Sequence, residues 1–174
     1  AGARVLMGCR TRAKAEAARE ELRGRGATGP LDILDLDLAS LDSVRACAEA
    51  VHEQVDHLDL LVNNAGVMAL PRRTTADGFE LQIGTNHLGH FALTGLLLDL
   101  LHAAPAARVV SVSSHAHRGG RIHFDDLHGE RSYHRWSAYC QSKLANLLFT
   151  YELHRRLQRE GATVRALACH PGYT

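Results

Sequence analysis

The sequence predicts an α/β chain built on a parallel sheet, and three of its features carry that expectation. Short apolar runs bounded by turn residues alternate with longer segments of helical period, the pattern of repeated βα units. The short runs are almost continuously apolar, as strands covered on both faces are. Two of them end in small or polar residues, Asn63-Asn64-Ala65-Gly66 and Ser113-Ser114. Those are the carboxyl ends, where open α/β sheets hold their ligands.

In chain order, a strand over Arg4 to Gly8 leads into a helix over Arg12 to Arg23. The strand Leu31 to Asp35 precedes a helix over Leu41 to Gln54, with Ser40 as its N-cap and Asp42 favourably placed in its first turn. A strand over Leu58 to Asn63 is followed by one helical segment from about Gly78 to Leu101. After the strand Arg108 to Ser113, the stretch His115 to Trp136 holds five histidines, two adjacent glycines and little periodicity. It reads as a long, solvated loop that closes over a ligand. A helix over Ala138 to Glu160, capped by Gly161, leads to the last strand, Thr163 to Cys169.

At 174 residues and 45% hydrophobic content, the chain has the material for one core, and residues 1–174 are read as a single domain. Twenty basic against 19 acidic side chains leave a formal charge of +1. That balance drives no binding to nucleic acid or to an anionic membrane, so a small molecule is the expected partner. Cys9, Cys47, Cys140 and Cys169 have neither CxxC nor framework spacing and read as buried free thiols of a reducing, cytoplasmic setting. The longest apolar stretch, Phe91 to Leu101, is broken by Asp99 and falls short of the roughly 20 residues of a membrane span. His115, His117, His123, His128 and His134 match no HExxH or Cys/His spacing, so no metal is expected.

The most specific local signal is Tyr139-Cys140-Gln141-Ser142-Lys143. A Tyr and a Lys four apart share a helix face, and a nearby cation favours the phenolate of a group that otherwise titrates near 10. The bland alternative is an ordinary helix pair. With 18 Arg and only two Lys in the chain, however, a Lys here suggests that a compact ammonium is wanted. Serines at the end of the fourth strand can hold a substrate carbonyl, or simply serve as turn residues. The Asn63 to Gly66 run admits a flat ligand close to the backbone, or is a plain Asn-Gly-type turn.

In combination these residues resemble the short-chain dehydrogenase/reductase family. Asn63 to Gly66, with Ala65 inside it, is similar to that family's NNAG segment, and Asn86 in Thr85-Asn86-His87-Leu88-Gly89-His90 is similar to its helix Asn. Ser114 resembles its catalytic Ser, Tyr139 and Lys143 its YxxxK, and Pro171-Gly172 its PG turn beside the nicotinamide. The wording of Thr85 to Phe91, the long gap from Ser114 to Tyr139 and the run Ser142 to Asn146 resemble the retinol-dehydrogenase-like and protochlorophyllide-reductase-like branch.

The resemblance implies a Rossmann-like, doubly wound parallel sheet. It also implies that the first strand, the glycine-rich turn, the first helix and a C-terminal segment of that fold lie outside this sequence, so that the sheet is interrupted at its centre. It implies an oxidoreductase moving a hydride between NADP(H) and a carbonyl or alcohol of retinoid-like or otherwise lipophilic character. Tyr139 would pass the proton, Lys143 would lower the phenol's pKa and hold the ribose, Ser114 would bind the carbonyl, and Asn86 would support a water chain. Arg10 follows the first strand with no acidic residue from Thr11 to Lys14, which favours NADP over NAD, and Asp37 resembles the family residue at the adenine. Asp37 is otherwise a turn or cap aspartate. A homodimer through the Tyr139 to Tyr151 helix, by Leu144, Leu147, Leu148 and Tyr151, is a further implication. The competing readings are a non-catalytic cofactor-binding regulator on the same scaffold, and a truncated chain without activity. A flavodoxin-like phosphoacceptor would need acidic strand ends, where this sequence has Ser and Asn.

Overall fold

The computed structural model describes residues 2–172. The βα alternation read from the sequence is present as β1 (Val5–Cys9), α1 (Arg12–Gly24), β2 (Leu31–Asp35), α2 (Leu41–His52), β3 (Leu60–Asn63), α3 (Leu81–Ile83), α4 (Gly89–Leu96), α5 (Leu98–Ala103), β4 (Arg108–Val112), α6 (Arg135–Arg159) and β5 (Arg165–Cys169). β1 pairs in parallel with β2, from Val5 opposite Leu31 to Cys9 opposite Asp35. β4 is central to a second parallel group, with Leu60 of β3 and Arg165 of β5 both opposite its Arg108.

The sheet is therefore in two blocks, β1-β2 and β3-β4-β5. This is the interruption expected when the central strand of a doubly wound order is missing. Two apolar clusters form the core. Leu34, Val44, Val51, Leu93 and Leu97 join β2, α2 and α4, and Leu101, Val109, Leu157, Val164 and Ala166 join α5, β4, α6 and β5. The expectation that every strand is covered on both faces is corrected. Leu60 and Val62 of β3 are about half exposed while Leu61 between them packs on both clusters, so the period-two alternation leaves one face of β3 open. Val5 of β1 and Leu167 of β5 are exposed as well.

The single helix from Gly78 to Leu101 is also corrected. Gly78 takes φ +83 in a turn closed by the Thr74–Glu80 bridge, and Glu80 caps α3 by accepting from the backbone N–H of Gln82 and Ile83. Gly84–Leu88 is then one π-helical turn, and α4 and α5 are separated at Leu97, with φ −106 and ψ 8. The chain passes its neighbours closely at this wide turn. A Cβ on Gly84 would lie 2.4 Å from Thr75 Cγ2, and one on Gly89 2.5 Å from the Leu38 carbonyl oxygen. Apolar periodicity does not report such contacts.

α6 begins three residues before its expected start because His134 caps it, accepting from Ser137 N–H at 3.4 Å. Its end is as expected. Gly161 has φ +66 and its N–H, with that of Ala162, returns to the last turn. Ser40 caps α2 through Ser43 N–H. The four thiols are unbonded, but only Cys47 is buried; Cys140 on α6 is half-buried, and Cys9 is half-buried and Cys169 exposed because β1 and β5 are covered incompletely. Among the described residues no helix is long and apolar enough to cross a membrane.

Candidate active site

The π-turn places Asn86 where no solvent reaches it, and π-turns of this kind are common at functional sites. Its side chain is fully used. Oδ1 accepts from Val67 N–H at 2.7 Å, while Nδ2 lies 2.9 Å from both the Val67 carbonyl oxygen and Ser142 Oγ. Ser142 Oγ in turn donates to the Tyr139 carbonyl at 2.8 Å. Asn86 thus clamps the chain directly after Gly66 and reaches α6 one residue before Lys143.

Lys143 is 5% exposed, and its Nζ donates to the Val112 carbonyl at the end of β4 at 3.0 Å. Burial pushes its pKa below the ordinary lysine value. Nζ lies 5.8 Å from the centroid of the Tyr139 ring, which is half-buried and meets Trp136 edge-on at 6.2 Å. The four-residue spacing therefore does bring the ammonium to the phenol's face.

The two strand-end serines are distinguished by their bonds. Ser113 is buried and its hydroxyl donates to the Lys143 carbonyl at 2.7 Å. Ser114 is half-buried, and its Oγ accepts from Ala116 N–H at 3.2 Å, capping a short turn over His115–Gly119. An accepting hydroxyl keeps its own proton to donate. Gly120 presses this segment onto α6 beside Tyr139, since a Cβ there would stand 2.6 Å from the Cys140 carbonyl oxygen.

The NNAG turn faces the same place. A Cβ on Gly66 would meet Asn86 Oδ1 at 3.0 Å and Lys143 Nζ at 3.7 Å, so Gly66, Asn86 and Lys143 converge. Ala65 and Gly66 are exposed, whereas Asn63 is buried and donates from Nδ2 to Thr94 Oγ1 at 2.9 Å. Its Oδ1 is buried and has no partner among the described residues. An open buried acceptor, a glycine face without a Cβ and a buried ammonium suit a nicotinamide nucleotide lying across the strand ends.

The remaining expected residues are placed around this centre. Pro171 and Gly172 are exposed, with Gly172 at φ +85 and its N–H donating to His170 Nδ1 at 3.1 Å. The His170 ring lies 3.9 Å from that of His115, which ties the PG turn to the residue after Ser114. Arg10 is exposed at the end of β1. Arg12 is engaged with Glu16 at 3.4 Å and Asp35 at 3.8 Å. Asp37 forms a local turn, its Oδ1 accepting from Ala39 N–H at 2.9 Å and its N–H donating to Ser43 Oγ at 2.9 Å.

The histidine-bearing stretch is exposed along most of its length, as a solvated loop is, but it is also anchored at several points. Tyr133 OH lies 2.8–3.1 Å from Gln82 Nε2, the Leu70 carbonyl and Glu80 Oε1, and Gln82 is wholly buried. His128 stacks on Phe79, and Gln141 holds His123 N–H and the Leu127 carbonyl. These buried polar partners come from segments distant in sequence, so the loop's own composition does not reveal them. Among the described residues no three His, Cys, Asp or Glu side chains gather as a metal site.

Sequence reading also passed over His90 and Ser142. His90 is 5% exposed, and its Nδ1 lies 3.0 Å from the Asn86 carbonyl oxygen. Burial first, and the Lys143 charge less, lower its pKa from 6.5 to about 4. Because the folded value is depressed, the unfolded chain takes the proton first. The stability from neutral His90 is fully present above 6.5 and is lost as pH falls through 4, a loss of about 3 kcal/mol by pH 4. Burial acts in the same direction on His87, while the exposed His52–Asp99 pair opposes it weakly. Urea denaturation at pH 7 and at pH 4 measures the difference; equal stability at both would contradict it.

The short chain dehydrogenase family model matches residues 1–174. Human retinol dehydrogenase 13 is 51% identical over 172 residues, covering 98% of this chain and 51% of that protein. The chain thus spans about half the length of the curated relatives it matches. A solved, uncharacterised protein from Mycobacterium paratuberculosis is 53% identical, with a TM-score of 0.87 over 99% of this chain and 60% of that one. The Pseudomonas aeruginosa RhlG/NADP active-site complex is 25% identical, with a TM-score of 0.74 over 98% and 63%. Alike in sequence and in fold to these proteins, the chain belongs to the short-chain dehydrogenase family, in its retinol-dehydrogenase-like branch.

Proposed function

We propose that the protein is an oxidoreductase that transfers a hydride between NADP(H) and a carbonyl or alcohol substrate of retinoid-like or other lipophilic character. The observation that carries this reading is the convergence of Gly66, Asn86 and Lys143, with the Lys143 ammonium held over the face of the Tyr139 ring. The retinoid class rests on the names of the relatives.

In this reading the chain's residues bind, orient and move a proton. Ser114, its Oγ already accepting from Ala116, donates to the substrate oxygen and fixes it beside Tyr139. The Tyr139 hydroxyl gives its proton to that oxygen in reduction and takes it back in oxidation. The buried Lys143 ammonium favours the phenolate left behind, and Nζ, with one donor on Val112, turns the others to the nicotinamide ribose. Asn63, Ala65, Gly66, Pro171 and Gly172 form the walls of the nicotinamide site, and Asn86 fixes the turn that carries Gly66. The bound nucleotide supplies or accepts the hydride.

Solved chains of this fold hold NADP in one case and NAD in another, so the choice rests on this chain's own residues. Arg10, exposed beyond β1 and not followed by an acidic residue through Lys14, favours the 2′-phosphate of NADP, and Asp37 takes the adenine side. Calorimetric titration of the full-length gene product is expected to show NADPH binding at least about tenfold tighter than NADH, and Arg10→Glu to erase the preference. Equal affinities would remove the NADP assignment.

A homodimer belongs to the same proposal. Leu148 and Tyr151 on α6 are 48% and 64% exposed, and Phe91, 56% exposed, packs its ring 5.4 Å from Phe149. With Leu144 and Leu147 they form an apolar face fit for a second copy. A monomeric mass in solution would refute it. A cytoplasmic setting, in keeping with the four unbonded thiols, completes the proposal.

A further inference from the structure

A chain of buried hydrogen bonds runs through α4 and explains how Asn86 is aimed. The Asn86 carbonyl can only accept, so His90 Nδ1, 3.0 Å away, carries the proton and donates it. Thr94 Oγ1 donates to the His90 carbonyl at 2.8 Å and accepts from Asn63 Nδ2 at 2.9 Å. The Asn86 side chain then holds both backbone groups of Val67. The path from Asn63 through Thr94, His90 and Asn86 to Val67 closes a ring of hydrogen bonds around Asn64, Ala65 and Gly66.

We infer that His90 is a positioning residue whose Nδ1–H secures the π-turn, so that Asn86 clamps Val67 and holds Gly66 against Lys143. The inference deepens the reductase reading and rests on it for its kinetic consequences alone. A wide π-turn departs from the regular ladder of the α-turns beside it, and a side-chain donor four residues on supports the carbonyl at that departure. A neutral ring does so without setting a second cation beside Lys143, and burial keeps the His90 ring neutral.

The test compares His90→Leu, which removes the donor, with His90→Asn, whose Nδ2 occupies the place of the ring Nδ1. Two readouts are used on the full-length gene product: steady-state kinetics with NADPH and all-trans-retinal, and hydrogen exchange at the Val67 amide. For His90→Leu we expect kcat to fall about tenfold or more, the retinal KM to stay within about threefold, the NADPH KM to rise, and Val67 to exchange at least about tenfold faster. His90→Asn is expected to restore both within about threefold of the unsubstituted protein.

An unchanged Val67 exchange rate in His90→Leu, or identical losses in the Leu and Asn variants, would overturn the inference. Should His90→Leu fail to fold, Thr94→Val cuts the next link with little change of shape. It is expected to speed Val67 exchange about threefold or more, and no change there would equally overturn the inference. Absence of turnover by the unsubstituted protein would count against the reductase reading alone, because the exchange measurement still decides for or against His90.

Discussion

Tyr139→Phe is expected to lower kcat for NADPH-dependent carbonyl reduction by roughly 10²- to 10⁴-fold while leaving NADPH affinity within about threefold. The substitution removes one hydroxyl and keeps the ring. The contact with Lys143 Nζ, 5.8 Å from the ring centroid, and the edge-on packing with Trp136 therefore survive. What is lost is the hydroxyl of the ring that faces Lys143, and with it, in the proposed chemistry, the proton for the substrate oxygen. In the proposed chemistry Ser114 still binds the carbonyl, so residual activity and a nearly unchanged substrate KM are expected. Steady-state kinetics with calorimetric NADPH titration checks this, and a variant that loses NADPH binding along with kcat would show Tyr139 acting mainly as a structural or binding residue.

Asn86→Leu has the largest expected effect on stability. The side chain is wholly buried, and three of its hydrogen bonds go to Val67 N–H, the Val67 carbonyl and Ser142 Oγ. Leu fills a similar volume, so the cost comes from stranded polar partners more than from a cavity, about 2–4 kcal/mol. Because Val67 is the residue after Gly66, NADPH affinity is expected to fall at least about tenfold as well. Urea denaturation and titration of the same variant measure the two losses. A stability within about 0.5 kcal/mol of the unsubstituted protein would mean that the clamp contributes little.

The βα alternation was legible in the sequence because each strand is a short apolar run and the helix ends at Ser40 and Gly161 carry their own local signals. The Tyr139–Lys143 pairing was legible for a similar reason, since four residues on a helix fix a shared face. The π-turn was not. Gly84 and Gly89 are there because Thr75 and the Leu38 backbone come close, and those contacts join segments far apart in the chain. The docking of the histidine-bearing stretch was hidden in the same way, being made by Glu80 and Gln82 some fifty residues upstream of Tyr133. The sequence offered two serines at the end of β4, and resemblance alone favoured Ser114. The structure separates them physically, through the commitment of the Ser113 hydroxyl to the Lys143 carbonyl. His90 carries a signal that can be read in hindsight, a histidine four residues after Asn86 in a helix whose other polar side chain is Thr94.

The measurement that bears most directly on the proposed chemistry is NADPH consumption by the full-length gene product in the presence of all-trans-retinal, followed alongside the alcohol formed. One NADPH oxidised for each retinol produced, over many turnovers, is the expected result. Tight NADPH binding without turnover of retinal or of simpler aldehydes would contradict it and would favour a cofactor-binding regulator on the same scaffold.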